Sequence, residues 1–350
     1  MENLTTKKYN DSYEETWDNF VETGVLGTIY HTRKFINYHP KDRFIDNSLM
    51  IFHQEELVCV VPACKKKDDN CKTYPLIYYD DGDFDVDPRE FTTHNVTVSH
   101  DFSYMGATYG GPVFLPKYFE IRYLKSIINE IFKYYNNKIE FRLANNIYFG
   151  DKVFKLYAVL SSKLSMVPEL SWYINTDEDF VLNISNQRNR NKLKKMIDNP
   201  DVICLKTNLI DDYKEYYSIL NKNLTTRHNN SPTHSEEEFL LLREILEDKG
   251  ALYLVKENDI LLGGVYVIKV TSQCWYTFYI SKNVDSDNHM AIPYLMFSIG
   301  QDAKKEGVKY LDYGISTEER GKLLNDGLSD FKERSLGGTS NSRFLFLVPN

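Results

Sequence analysis

ALYLVKENDILLGGVYVIKVTSQCWYTFYISKNVDSDNHMAIPYLMFSIGQDAKKEGVKYLDYG, residues 251–314, is the stretch whose reading decides the fold. ALYLVKE (251–257) and ILLGGVYVIKV (260–270) are apolar, β-rich runs flanking Asn258-Asp259, which is a hairpin signal. CWYTFYIS (274–281) extends the hairpin into a meander. A helix is predicted from about Ala291 to Lys305, and KYLDYG (309–314) is the strand that follows. Strict alternation along CWYTFYIS places Trp275 and Tyr279 on one face and Tyr276 on the other.

The first half carries the same order. SLMIFHQ (48–54) and LVCVVPA (57–63) flank Glu55-Glu56 as a second hairpin, followed by the polar loop KKKDDNCK. Ile121, Leu124, Ile128, Ile131 and Tyr135 recur at spacings of three and four, an amphipathic helix that leads into the strand KIEFRL (138–143). At 350 residues the chain suits two domains. The expected fold is α/β (α+β), with domains 1–170 and 171–350, each a mixed, mostly antiparallel sheet flanked by helices. The boundary is placed near 165–175, where Pro168 breaks the pattern. In the second half, one helix is expected over Asp211 to Leu224. A second opens at Ser235, where Ser235 and Glu238 make a capping box, and stops at Gly250.

Composition narrows the function. A net charge of −8 argues against a broad nucleic-acid surface and so against DNA, because such binding comes from many Lys and Arg on phosphates. Five scattered cysteines without a CxxC pair read as free thiols in a reducing compartment, with no metal site. The polar, acidic N-terminus is unlike a signal peptide, and no segment approaches the ~20 apolar residues of a membrane span. The expected location is the cytoplasm. No P-loop, dinucleotide fingerprint, H-E-x-x-H or nucleophile elbow occurs, so the sequence offers no support for covalent catalysis.

Hairpin, helix, strand in both halves is the central pattern of the GNAT fold, and five segments in order resemble the FemAB-like, tandem-GNAT N-acyltransferases. They are GTIYHTRKFINYHPKDRFIDNSLMIF after Trp17, SHDFSYMGATYGGPV (99–113), FVLNISNQRNRNKLKKMIDNPDVICL, RHNNSPTHSEEEF (227–239) and LDYGISTEERGKLLNDGLSDFKERSLGG (311–338). The last is similar to the pattern D-x-G-x-S…G-L-x-x-F-K-x-x-x-G-G. The resemblance implies an acyltransferase that passes an acyl or aminoacyl group to an amine of a cell-envelope precursor. The acceptor would be an amino sugar or peptide, free or nucleotide-linked as in peptidoglycan precursors. It implies no tightly bound cofactor, with acyl-CoA or aminoacyl-tRNA as co-substrate. The turn KNVDSDNHMAIPYLM lacks the glycine pair with which ordinary GNAT enzymes hold the CoA diphosphate. Two alternatives are an acyl-CoA-dependent acetyltransferase acting on a nucleotide-linked amino sugar, and a noncatalytic tandem GNAT that binds glycan or nucleotide.

Transfer to an amine requires a neutral amine, an aligned carbonyl and stabilisation of the charge on the carbonyl oxygen. By the resemblance, Lys332 supplies that stabilisation or holds a donor phosphate. Tyr313 is a candidate proton donor to the leaving group or a core aromatic. His228 is a candidate general base, and His234 is a candidate base or substrate contact. Arg188, Lys192 and Lys195, at i, i+4 and i+7, share a helix face able to clamp a phosphate or diphosphate. His100, Gly110 and Gly111 lie in a glycine-rich turn where backbone can approach a ligand closely.

Overall fold

The computed structural model describes residues 3–38, 44–66, 101–103, 109–228 and 231–349. Two compact units emerge, each discontinuous in sequence. Unit 1 comprises Met1–Glu169, Glu319–Leu323 and Arg343–Asn350; unit 2 comprises Leu170–Glu318 and Leu324–Ser342.

In unit 1 the strands are β1 (Leu4–Lys8), β2 (Phe44–Asp46), β3 (Leu49–His53), β4 (Glu56–Val61), β5 (Ala63–Lys66), β6 (Asp101–Ser103), β7 (Val113–Phe114) and β8 (Ile139–Leu143). The helices are α1 (Glu14–Thr23), α2 (Arg33–Ile36), α3 (Ile121–Tyr134), α4 (Asn146–Phe149) and α5 (Lys152–Leu160). The first hairpin forms as expected, with Leu49 opposite Val61 and His53 opposite Glu56. β1 and β7 complete an antiparallel set in the order β1-β3-β4-β7. A second set runs β2-β5-β6-β8, in which β6 and β8 are parallel. A parallel pair needs a crossover, and α3 lies within it. The apolar stripe of α3 (Leu124, Ile127, Ile128, Ile131) is fully buried against Leu49, Ile51 and Val58 in one core.

Two buried carboxylates explain why late segments belong to this unit. Glu169 accepts from Arg142 Nη2 (2.9 Å) and from Arg343 Nε (3.0 Å). Glu140, on β8, pairs with Arg320 and also accepts the backbone N–H of Val348 at 3.0 Å. The Glu169–Arg343 and Glu140–Arg320 pairs each join the first half of the chain to one of the returning segments.

In unit 2 the chain enters along β9 (Ser165–Asn175), continues through α6 (Phe180–Asn183), α7 (Gln187–Ile197), β10 (Val202–Thr207), α8 (Ile210–His228) and α9 (Glu236–Leu246). The meander follows as β11 (Gly250–Glu257), β12 (Ile260–Lys269) and β13 (Cys274–Lys282), then α10 (Ala291–Lys305) and β14 (Tyr310–Ile315). A short helix α11 (Asp326–Asp330) passes into a π-helical turn, Phe331–Ser335, ahead of β15 (Thr339–Leu347), whose residues from Arg343 onward belong to unit 1 and pair with β8. The sheet order is β10-β11-β12-β13-β14-β9, with β13 and β14 its parallel pair. Both units therefore carry strand, helix, parallel strand. Among the described residues no helix is long and apolar enough to cross a membrane.

Local readings changed in three places. Pro168 lies inside β9 instead of ending an element. The capping box at Ser235 and Glu238 is present, but α9 ends at Leu246, with Glu247 in the left-handed region at φ 48°. Gly250 instead opens β11, where a Cβ would stand 2.3 Å from the Tyr266 hydroxyl. Trp275 and Tyr279 occupy opposite faces of the sheet. The cause is a bulge: Tyr266 pairs with Tyr279 and Val267 with Thr277, so Phe278 is an extra residue that inverts the alternation. Trp275 packs in the core with Val265 and Val267, while Tyr279 meets His234 and Phe239.

Candidate active site

The parallel pairing of β13 with β14 is short. Cys274 lies opposite Tyr310, Trp275 opposite Leu311 and Tyr276 opposite Asp312, and there it ends. The Thr277 hydroxyl donates to the Asp312 carbonyl (3.0 Å) as a last tie. β13 then continues to Lys282 along β12, while β14 continues to Ile315 along β9. Both strands bulge directly beyond the parting, at Phe278 and at Tyr313. Beyond the parting the two facing edges pair with no further strand among the described residues, and the carbonyls of Asp312, Gly314 and Ile315 take side-chain donors instead.

Gly314 turns the β14 edge, at φ +73°, and its N–H is held by the Asp312 carboxylate at 2.7 Å. A Cβ here would stand 2.9 Å from the Tyr276 hydroxyl, so the glycine lets that phenol lie against the backbone. Lys332 sits on the π-helical turn, 4% exposed, and its ammonium donates to the carbonyls of Gly314 (3.1 Å) and Ile315 (2.7 Å). The structure thus brings Lys332 to the edge of the opening, where its charge braces the end of β14. Tyr313 points into the core, its hydroxyl 3.4 Å from the Leu336 carbonyl. Burial pushes the Tyr313 phenol well above its ordinary pKa, so it remains a neutral donor.

On the opposite face, His234 is 4% exposed and its Nδ1 lies 2.6 Å from the Tyr279 hydroxyl. The Tyr217 hydroxyl donates to the His234 carbonyl at 2.8 Å. Burial raises the Tyr279 phenol strongly, keeping it protonated. His228 is the last residue of α8, and its side chain lies outside the described residues, as does the whole of His100.

The turn before α10 satisfies its own amides. Asn283 Oδ1 accepts from Asp285 N (3.0 Å), Ser286 Oγ from Asn288 N (3.2 Å), and Asn288 Oδ1 from Met290 N (2.9 Å). Pro293, in the first turn of α10, has no N–H. A helix start ordinarily offers about four amides; here one is capped and one is missing. Two of the amides at this helix start are therefore unavailable to a bound anion.

Arg188, Lys192 and Lys195 lie exposed on α7. Lys192 and Lys195 line an open cavity of about 330 Å³ with Glu257, Asp287 and His289; Arg188, one turn earlier, is not among its walls. Sequence reasoning did not single out His289 or Asp287, because nothing local links residues 287–289 to α7.

In unit 1, Gly110 and Gly111 pack against β8. Gly110 N donates to the Arg142 carbonyl at 2.8 Å, and a Cβ on Gly111 (φ +142°) would meet Leu143 at 2.4 Å. The glycines permit a close approach of backbone to strand, beside a cavity of about 20 Å³ that they share with His31 and Tyr109. Burial lowers the pKa of His31 from 6.5 to about 4. Between those values the unfolded chain binds the proton that the folded one refuses, so stability is complete above pH 6.5 and falls as pH drops towards 4. At ~1.4 kcal/mol per unit the loss is about 3 kcal/mol. Denaturant midpoints across that window should show it, and His31→Gln should flatten the dependence.

No protein-family model matches the sequence, and no curated protein does. Among solved structures the chain is similar to FemX, with a TM-score of 0.62 and 13% identity over 99% of this chain and 98% of that one. It is similar to L-PGS from Bacillus licheniformis, with a TM-score of 0.57 and 10% identity over 98% and 93%. A conserved protein of Bacteroides thetaiotaomicron gives 0.55 and 9% over 99% and 100%. The fold is thus one shared with FemX and L-PGS, and it is α/β with mostly antiparallel sheets, as expected from the sequence.

Proposed function

We propose that the protein is an acyltransferase that passes an aminoacyl group from tRNA to an amine of a cell-envelope precursor, with the β13–β14 opening as the place of transfer. The observation that carries this reading is the parting of the two parallel strands after Tyr276 and Asp312, bulged on both edges. Backbone at such a parting can align an extended ester donor and hold its carbonyl oxygen as charge develops. The acceptor nitrogen forms the new C–N bond as the ester C–O bond breaks; the amine gives up a proton and the departing ribose oxygen gains one. Tyr276, beside Gly314 at the opening, is placed to steer that leaving oxygen.

An aminoacyl ester is preferred over a CoA thioester because Asn288 and Pro293 remove amides from the start of α10. The similarity to FemX, and the family resemblance of the Lys332 segment, support an envelope acceptor. The test is transfer of label from a mixture of radiolabelled aminoacyl-tRNAs, or from acetyl-CoA, to UDP-linked amino sugars and muramoyl peptides. Transfer from tRNA alone is expected. Transfer from acetyl-CoA alone would replace the donor, and no transfer from either would overturn the reading.

A further inference from the structure

We infer that the cavity between α7 and the turn before α10 is a separate binding site for a small sugar phosphate, such as the nucleotide portion of a nucleotide-linked substrate. The cavity is large enough for such a group, at about 330 Å³. Its walls come from two places in the chain that no secondary-structure pairing joins. α7 presents Lys192 and Lys195; the turn presents Asp287 and His289. Glu257, at the end of β11, closes the site, held by Asn199 Nδ2 at 3.2 Å.

The charges define the ligand. Lysine ammonium groups suit phosphate oxygens, whereas the carboxylates of Asp287 and Glu257 repel a pure anion and accept hydrogen bonds from hydroxyls. A molecule carrying both a phosphate and sugar hydroxyls satisfies the whole set. A nucleic-acid backbone does not, because the two carboxylates in the wall oppose a polyanion at this cavity. Lys282, whose Nζ lies 3.5 Å from His289 Nδ1, adds a further cation at the rim.

Position separates this site from the opening between β13 and β14. Glu257 ends β11, two strands from β13 in the sheet order, or about 10 Å at the usual strand spacing. The cavity and the opening lie towards the same end of the sheet, since β11 and β13 both finish there. A substrate anchored by its sugar phosphate in the cavity could therefore place a reactive amine, one short linker away, in the opening. That last step rests on the acyltransferase reading; the binding site itself does not.

Calorimetric titration of the whole protein with UDP-N-acetylglucosamine, UMP and inorganic pyrophosphate separates the possibilities. Lys192→Ala/Lys195→Ala is expected to weaken both nucleotides at least tenfold. Lys194→Ala, on the same helix but off the cavity, is expected to leave binding unchanged and serves as the control for a general charge effect. Asp287→Asn is expected to weaken the nucleotides but not pyrophosphate, which has no hydroxyls to donate. Thermal midpoints of all variants should stay close to wild type, since these side chains are exposed. Binding that ignores the double substitution, or that Lys194→Ala weakens as much, overturns the site, as does tRNA binding that the cavity lysines alone control. Lysine-dependent nucleotide binding without any transfer activity would keep the site and discard the acyltransferase. Transfer with lysine-independent substrate binding would do the reverse.

Discussion

Glu169→Ala is expected to destabilise unit 1 by about 3–5 kcal/mol, enough to remove most of the stability of an ordinary domain. Glu169 is 1% exposed and is the shared acceptor of Arg142 and Arg343, whose side chains are only 12% and 7% exposed. Burial alone would push its carboxyl upward. The guanidinium groups of Arg343 and Arg142 outweigh that effect and hold it below the usual carboxylate range. The alanine variant leaves two nearly buried cations without their anion, which costs far more than the intact triplet contributes. Because the folded pKa is depressed, the stabilisation is complete above the ordinary carboxylate range and is lost as pH falls through it. Urea midpoints of wild type, Glu169→Ala and Glu169→Gln at pH 7 would measure the effect. A loss under ~1 kcal/mol for the alanine variant would mean that the arginines find water instead.

That same cluster shows where sequence reading stops. The hairpins at 48–63 and 251–270, α3 and α10 were legible because their apolar residues recur at the period of the element they form. Arg343 and Arg320 gave no signal. An ion pair spanning 174 or 180 residues leaves no local periodicity, so the return of late segments to unit 1 was invisible. The bulge at Phe278 escaped for a related reason. Alternation in CWYTFYIS is unbroken as text, and only the register against β12 reveals the extra residue that carries Tyr279 to the opposite face. At the candidate site, the segments LDYG and GLSDFK come together, since Lys332 donates to the Gly314 carbonyl. What each residue does there depended on hydrogen bonds that no motif encodes. Helical spacing is enough to put Lys192 and Lys195 on one face, whereas the wall opposite, Asp287 and His289, lies some ninety residues further along the chain and has no local signal.

Lys332→Met should lower transfer by about a hundredfold and stability by about 2–4 kcal/mol, in the range of losing a catalytic donor and a charged, buried hydrogen-bonding group respectively. Methionine approximates the length and shape of the lysine stem, so the packing of the π-helical turn is largely kept and the missing ammonium is what the experiment reads. Without it, the carbonyls of Gly314 and Ile315 lose their donor at the edge of the opening. The residue after them, Ser316, is buried, and its hydroxyl makes no hydrogen bond to either carbonyl among the described residues. The end of β14 should then relax, and with it the Gly314 turn on which the Tyr276 phenol rests. Lys332→Arg is not expected to rescue either property, because a planar guanidinium cannot enter a pocket shaped for one ammonium between two successive carbonyls. The readout that separates a brace from direct stabilisation is temperature. If Lys332 acts by holding β14, cooling Lys332→Met well below its unfolding midpoint should restore part of the lost kcat with KM. If its charge acts on the reacting carbonyl, the loss should persist in kcat when the chain is fully folded.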